Sequence, residues 1–154
     1  MMLEKYDKNV KPEEWVRHVQ EIKGMTKSQA LAFLRKEVPK ESYFQKKVKE
    51  ALRAAYPDAI VLKVAQGFFS EGGIPDIMFV WRGHYFGFEI KRPVFGTATK
   101  NQKLVMKRIE DAGGTAAIVT YPEEAFGVIN GYFSSREEAL VSRIIEMERE
   151  SFRG

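Results

Sequence analysis

Asp76 and Glu89, with Lys91 beside them, are spaced so that the two carboxylates could hold a metal ion. Two strand-like runs, Ile74 to Trp81 and His84 to Lys91, are joined at Arg82-Gly83, where glycine suits the positive φ of a two-residue hairpin turn. In that register Trp81 faces His84, Phe79 faces Phe86, and Asp76 faces Glu89. A four-residue turn preserves the register, whereas a three-residue turn shifts it by one. Alternation then puts Ile77, Phe79, Trp81, Phe86, Phe88 and Ile90 on an apolar face, with Asp76, Glu89 and Lys91 on the other. Like charges directly opposite on a sheet repel, so the pair needs a cation, a shared proton or water. A hard divalent ion such as Mg²⁺, which prefers carboxylate and water oxygens, answers that need.

The elements that must position these residues follow from capping and periodicity. Pro12 to Gly24 and Thr26 to Val38 read as two short helices, the second opened by a capping-box pattern at Thr26-Lys27-Ser28-Gln29. A third helix runs from about Glu41 to Tyr56 with Phe44, Val48 and Leu52 on one face, and Glu41 shares that face. Ala59 to Ala65 reads as a strand, and Gln66 to Gly73, with three glycines and Phe68-Phe69, as a loop bordering Asp76. Thr99 to Ala112 is a helix, Thr115 to Tyr121 a strand, Pro122-Glu123-Glu124 a short helical turn, and Ser134 caps a separate final helix. The domain organisation expected is a helical appendage over 1–40, a core over 41–121, and a helical extension of the same domain over 122–154.

Composition limits the chemistry. The 154 residues suit one globular domain, and 44% hydrophobic content with 11 Phe, 6 Tyr and 2 Trp supplies its core. The absence of Cys removes disulfides, thiolate zinc sites and a Cys nucleophile, and two distant histidines make a His-based metal site or triad a poor fit. Nothing in the sequence reads as a signal peptide or a membrane span, so an intracellular protein is expected. Net charge is +3 over 1–40, +4 over 41–121 and −3 over 122–154, a bias that suits a polyanionic partner on the first three quarters.

Gly73-Ile74-Pro75-Asp76, twelve further residues, then Glu89-Ile90-Lys91 resembles the Pro-Asp…(Asp/Glu)-x-Lys signature of restriction-endonuclease-like nucleases. The α-β-β-β-α-β order matches that superfamily's core. With Glu41 on the first core helix and Gln102 in Thr99-Lys100-Asn101-Gln102, residues 41 to 120 look like the VRR-NUC (virus-type replication-repair nuclease) family.

The resemblance implies an α/β fold with a central mixed sheet and a nuclease using Mg²⁺ or Mn²⁺. Asp76, Glu89 and the carbonyl of Ile90 would hold the metal, with Glu41 completing the site directly, through water or at a second ion. Lys91 would orient and deprotonate water, and Gln102 would position water or Lys91. Hydrolysis would leave 5′-phosphate and 3′-hydroxyl ends. Arg92, Lys100, Lys103 and Lys107 follow the site and are candidates for gripping DNA phosphates. The family further implies branched DNA such as four-way junctions as substrate, a homodimer, and a cytoplasmic setting in a bacterium or a virus-infected cell. The rival readings are a non-selective, flap or exonuclease with the same residues, and a non-catalytic binding module of the same fold.

Overall fold

The computed structural model describes residues 6–65 and 72–153. Six of the residues expected to form the loop before Asp76, 66–71, lie outside the described part. The elements are α1 (Pro12–Lys23), α2 (Lys27–Glu37), α3 (Glu41–Ala55), β1 (Ile60–Lys63), β2 (Ile77–Trp81), β3 (His84–Ile90), α4 (Lys100–Asp111), β4 (Thr115–Val119) and α5 (Pro122–Ser151). The strands form one mixed sheet in the order β1-β2-β3-β4, antiparallel except for the β3–β4 pair.

The hairpin register is the one expected, with Trp81 opposite His84 and Phe79 opposite Phe86. Arg82 at φ 48° and Gly83 at φ 76° are both left-handed, as a turn matching the strands' twist requires. Ile77, Phe79, Phe86, Phe88 and Ile90 are fully buried on one face against Val48 and Leu52 of α3 and Ala125 and Ile129 of α5. On the opposite face α4 covers β3 and β4, donating from Gln102 to Glu89 and accepting from the Ala116 amide at Glu110.

The strands are shorter than their sequence runs. Lys91 follows β3 instead of ending it, and Asp76 precedes β2, although its carbonyl still accepts from the Val64 amide at 2.8 Å. The C-terminal expectation needs correction. One continuous 30-residue helix replaces the turn at Pro122 and the separate helix capped at Ser134. Packing explains the continuity through Gly127 and Gly131: Phe126, Val128, Tyr132 and Phe133 lie against the core and outweigh weak local helix propensity.

The two N-terminal helices build a second apolar cluster from Val16, Val19, Ala30, Leu34 and Val38, joined by Val94 and Phe95 from the segment after Lys91. Thr26 and Gln29 form the expected capping box, each side chain accepting from the other's amide.

Candidate active site

The site gathers where β3 ends. Glu89 is 1% exposed, on the sheet face beneath α4. Its Oε1 accepts from Gln102 Nε2 at 2.8 Å and lies 3.4 Å from Lys91 Nζ. Its buried Oε2 has no hydrogen-bond donor among the described residues. Asp76 comes from across the hairpin, its Oδ2 accepting from the Ile90 amide at 2.7 Å. The opposition of Asp76 and Glu89 expected from the register is thus realised just beyond the last paired residues.

Gly73 sets the approach to Asp76. Its φ is 73°, and a Cβ there would fall 2.8 Å from Asn101 Nδ2 and 3.0 Å from the Asn101 carbonyl. Only glycine tolerates both the backbone angle and the closeness of α4. Gln102 has two tasks that the sequence shows only in part. It is the third residue of α4, where its Oε1 accepts from the Thr99 amide at 2.9 Å while its Nε2 reaches Glu89.

Electrostatics follow from burial and crowding. Burial raises the Glu89 carboxyl to about 7; nearby Asp76 adds to the rise, while Lys91 opposes it. Glu41, the first residue of α3, is also raised, by burial first, with Lys91 and Arg92 pulling down and Asp76 pushing up. Glu41 therefore stands in the field of Asp76, Lys91 and Arg92, as its place on the buried helix face suggests. Among the described residues, no three His, Cys, Asp or Glu side chains already converge at metal-binding distance. Still, the donor set fits a hard divalent ion: two carboxylates face each other and a buried Glu89 oxygen lacks any donor among the described residues.

Lys91 is held by its backbone. Its amide donates to the Val119 carbonyl at 3.0 Å, and its carbonyl accepts from Thr120 Oγ1 at 2.8 Å. Thr120, 1% exposed, was not singled out from the sequence; a hydroxyl at the end of an apolar strand was its only signal.

The cations expected to grip phosphate separate into two groups. Lys100, Lys103 and Lys107 are exposed on α4, with Lys107 paired to Asp111 at 2.6 Å. Arg92 turns the other way, its Nη2 donating to the carbonyls of Val38 at 2.6 Å and Arg35 at 3.3 Å while its guanidinium lies over Phe95. Val94 beside it has φ 70°, an outlier for a β-branched side chain. His84 is structural: it is bonded to Thr115 Oγ1 at 2.8 Å and stacked on Tyr132 at 3.7 Å.

No family model matches the chain. No curated protein matches it either. Among solved structures, a VRR_NUC domain aligns with a TM-score of 0.50 and 22% identity, over 60% of this chain and 96% of that one. The mixed four-stranded sheet with helices on both faces is thus the restriction-endonuclease-like α/β fold that this solved VRR_NUC domain also has.

Proposed function

We propose that the protein is a metal-dependent DNA nuclease of VRR-NUC type, hydrolysing phosphodiester bonds. One observation carries the reading: a carboxylate buried opposite a second carboxylate, touched by a lysine and a glutamine, keeps an oxygen with no donor among the described residues. An ordinary solvated sheet face provides no reason to bury Glu89 in that company.

Asp76, Glu89 and the Ile90 carbonyl would hold Mg²⁺ or Mn²⁺, with Glu41 completing the set directly, through water or at a second ion. When bound, the ion polarises the phosphate and makes water a stronger acid. Lys91, 12% exposed at its side chain, is kept close by Glu89 and by its backbone bonds to Val119 and Thr120. From there it orients the attacking water and offsets charge developing on the phosphate. Gln102 fixes the Glu89 carboxylate and so the direction in which Oε2 points. Lys100, Lys103 and Lys107 present three cations on one side of α4 to the DNA backbone.

We further propose branched DNA, four-way junctions included, as the preferred substrate and two copies as the working unit, since paired symmetric cuts need two sites related by a two-fold axis. The test is cleavage of labelled junction, flap and linear duplex with Mg²⁺, Mn²⁺ or chelator. Lys91→Ala and Glu89→Gln are expected to lower kcat at least ~100-fold, with little loss of DNA binding. Cutting that survives chelation would overturn the metal dependence, cutting that survives Lys91→Ala would overturn the role given to Lys91, and no cutting of any substrate with either ion would overturn the nuclease assignment. Equal cutting of junction and duplex would remove the substrate preference and leave the nuclease.

A further inference from the structure

Lys91 stands one residue beyond β3, and its backbone bonds to Val119 and Thr120 fix where the chain runs, not where the side chain points. A flexible four-carbon stem separates the backbone from Nζ, and each staggered state of its first bond sends the stem a different way. Yet the side chain is only 12% exposed, and Nζ lies 3.4 Å from Glu89 Oε1. Whatever stands beside the stem selects that course.

Gly96 is that neighbour. The chain turns back after Lys91, the Phe95 amide donating to the Pro93 carbonyl at 2.8 Å and the Gly96 amide to the Arg92 carbonyl at 3.0 Å. The turn brings Gly96 so close that a Cβ there would fall 2.8 Å from the Lys91 Cβ, 2.5 Å from the Arg92 carbonyl oxygen and 2.9 Å from the Arg92 nitrogen. Its φ is not among the positive ones, so closeness rather than backbone angle demands glycine here. The atoms met are backbone atoms and the first carbon of a side chain, and none of them can swing aside.

The turn is braced from its far side. Arg92 donates to the Val38 and Arg35 carbonyls where α2 ends, Pro93 is buried, and Val94 and Phe95 pack with the N-terminal cluster. Val94 keeps its φ of 70° there, an angle that a β-branched residue holds only where its surroundings impose it. We infer, on the role proposed for Lys91, that Gly96 is a positioning residue for this lysine: the braced turn closes on the Lys91 Cβ and leaves the stem the course that ends beside Glu89. The N-terminal helices thereby steer Lys91 through the turn.

The test compares Gly96→Ala with wild type, alone and in the Lys91→Ala background, by cleavage kinetics with Mg²⁺ and by the three-bond Hα–Hβ couplings of Lys91. In wild type the couplings are expected to report one χ1 rotamer, and in Gly96→Ala an average or a different one. Gly96→Ala should lower kcat ~10- to 100-fold and leave KM for DNA within about twofold. In Lys91→Ala, which keeps the Cβ but has no stem to aim, the same change should cost no more than about twofold. An equal loss in both backgrounds, a raised KM at constant kcat, or an unchanged kcat overturns the inference. So does a wild-type Lys91 averaged over χ1 rotamers. Absence of cutting by wild type removes the nuclease reading instead, and the couplings then still decide whether Gly96 positions Lys91. If Gly96→Ala fails to fold by circular dichroism, Val94→Asn takes its place with the same expected split between kcat and KM, since Asn suits the left-handed angle but gives up the apolar brace.

Discussion

The chain adds helices at both ends of its sheet domain, and the two additions relate to the candidate site in opposite ways. The N-terminal pair encloses Val94 and Phe95, and the carbonyls of Arg35 and Val38 receive Arg92. Its helices therefore hold the segment immediately after Lys91. The outer half of α5 touches none of the site residues; it leaves the body at Tyr132 and Phe133, beside the β2–β3 turn, far from the strand ends where Glu89 and Lys91 lie. One appendage packs around the segment that follows the site, and the outer half of the other stays clear of it. This contrast yields measurements that either break or sharpen it.

The largest effect is expected from Leu34→Ala, which hollows the N-terminal cluster. Leu34 is 1% exposed, so about 3 kcal/mol of stability should be lost in chemical denaturation. Cutting should fall with it, because Val94 and Phe95 lose their packing. Unchanged kcat in protein still folded would detach that cluster from the site.

Arg92→Ala comes next, at about 1–3 kcal/mol, for the loss of charged bonds to two helix-end carbonyls. It is expected to lower kcat about tenfold and leave KM for DNA unchanged, with Arg92→Lys recovering only part. A raised KM at constant kcat would instead make Arg92 a phosphate contact.

A smaller effect concerns the point where α5 passes the β2–β3 turn. Burial against Tyr132 lowers the His84 pKa below its ordinary 6.5, so the unfolded chain takes up the proton first. The stability this ring contributes is complete above pH 6.5 and is lost as pH falls through the lowered folded value. The difference in melting temperature between wild type and His84→Gln should therefore shrink from pH 7.5 to 5.5, by an amount worth less than about 1 kcal/mol. Smallest of all, Ile144→Ala should change the stability of the chain by less than about 0.5 kcal/mol, because its side chain is 48% exposed.

Much of the arrangement was legible because the informative signals are local. The turn at Arg82-Gly83 sets the register, the register opposes Asp76 and Glu89, and alternation separates Phe79 and Phe86 from Glu89. The helix read from Thr99 to Ala112 put Gln102 in its first turn, and the structure starts α4 there with a Thr99–Gln102 capping box. What escaped depends on distant partners. Arg92 read as a cation free for phosphate because nothing near it in sequence shows that the end of α2, 54 residues earlier, offers it carbonyls. The break expected near Ser134 followed from a capping-box pattern at Ser134-Ser135-Arg136-Glu137, while the contacts of Tyr132 and Phe133 with the hairpin decide the helix. Glu41 was found through its position on the apolar face of α3, a local pattern, although what surrounds it there is not local.

The Ile90 amide, whose hydrogen points at Asp76 Oδ2 across 2.7 Å, has a spectroscopic consequence. An amide proton bound to a carboxylate resonates downfield and exchanges slowly with solvent, and its shift follows the electron density left on that oxygen. Titrating Mg²⁺ into ¹⁵N-labelled protein should move this resonance before those of β1 or α2. The backbone itself then serves as an indicator of ion arrival, readable without a substrate and without cutting a single bond.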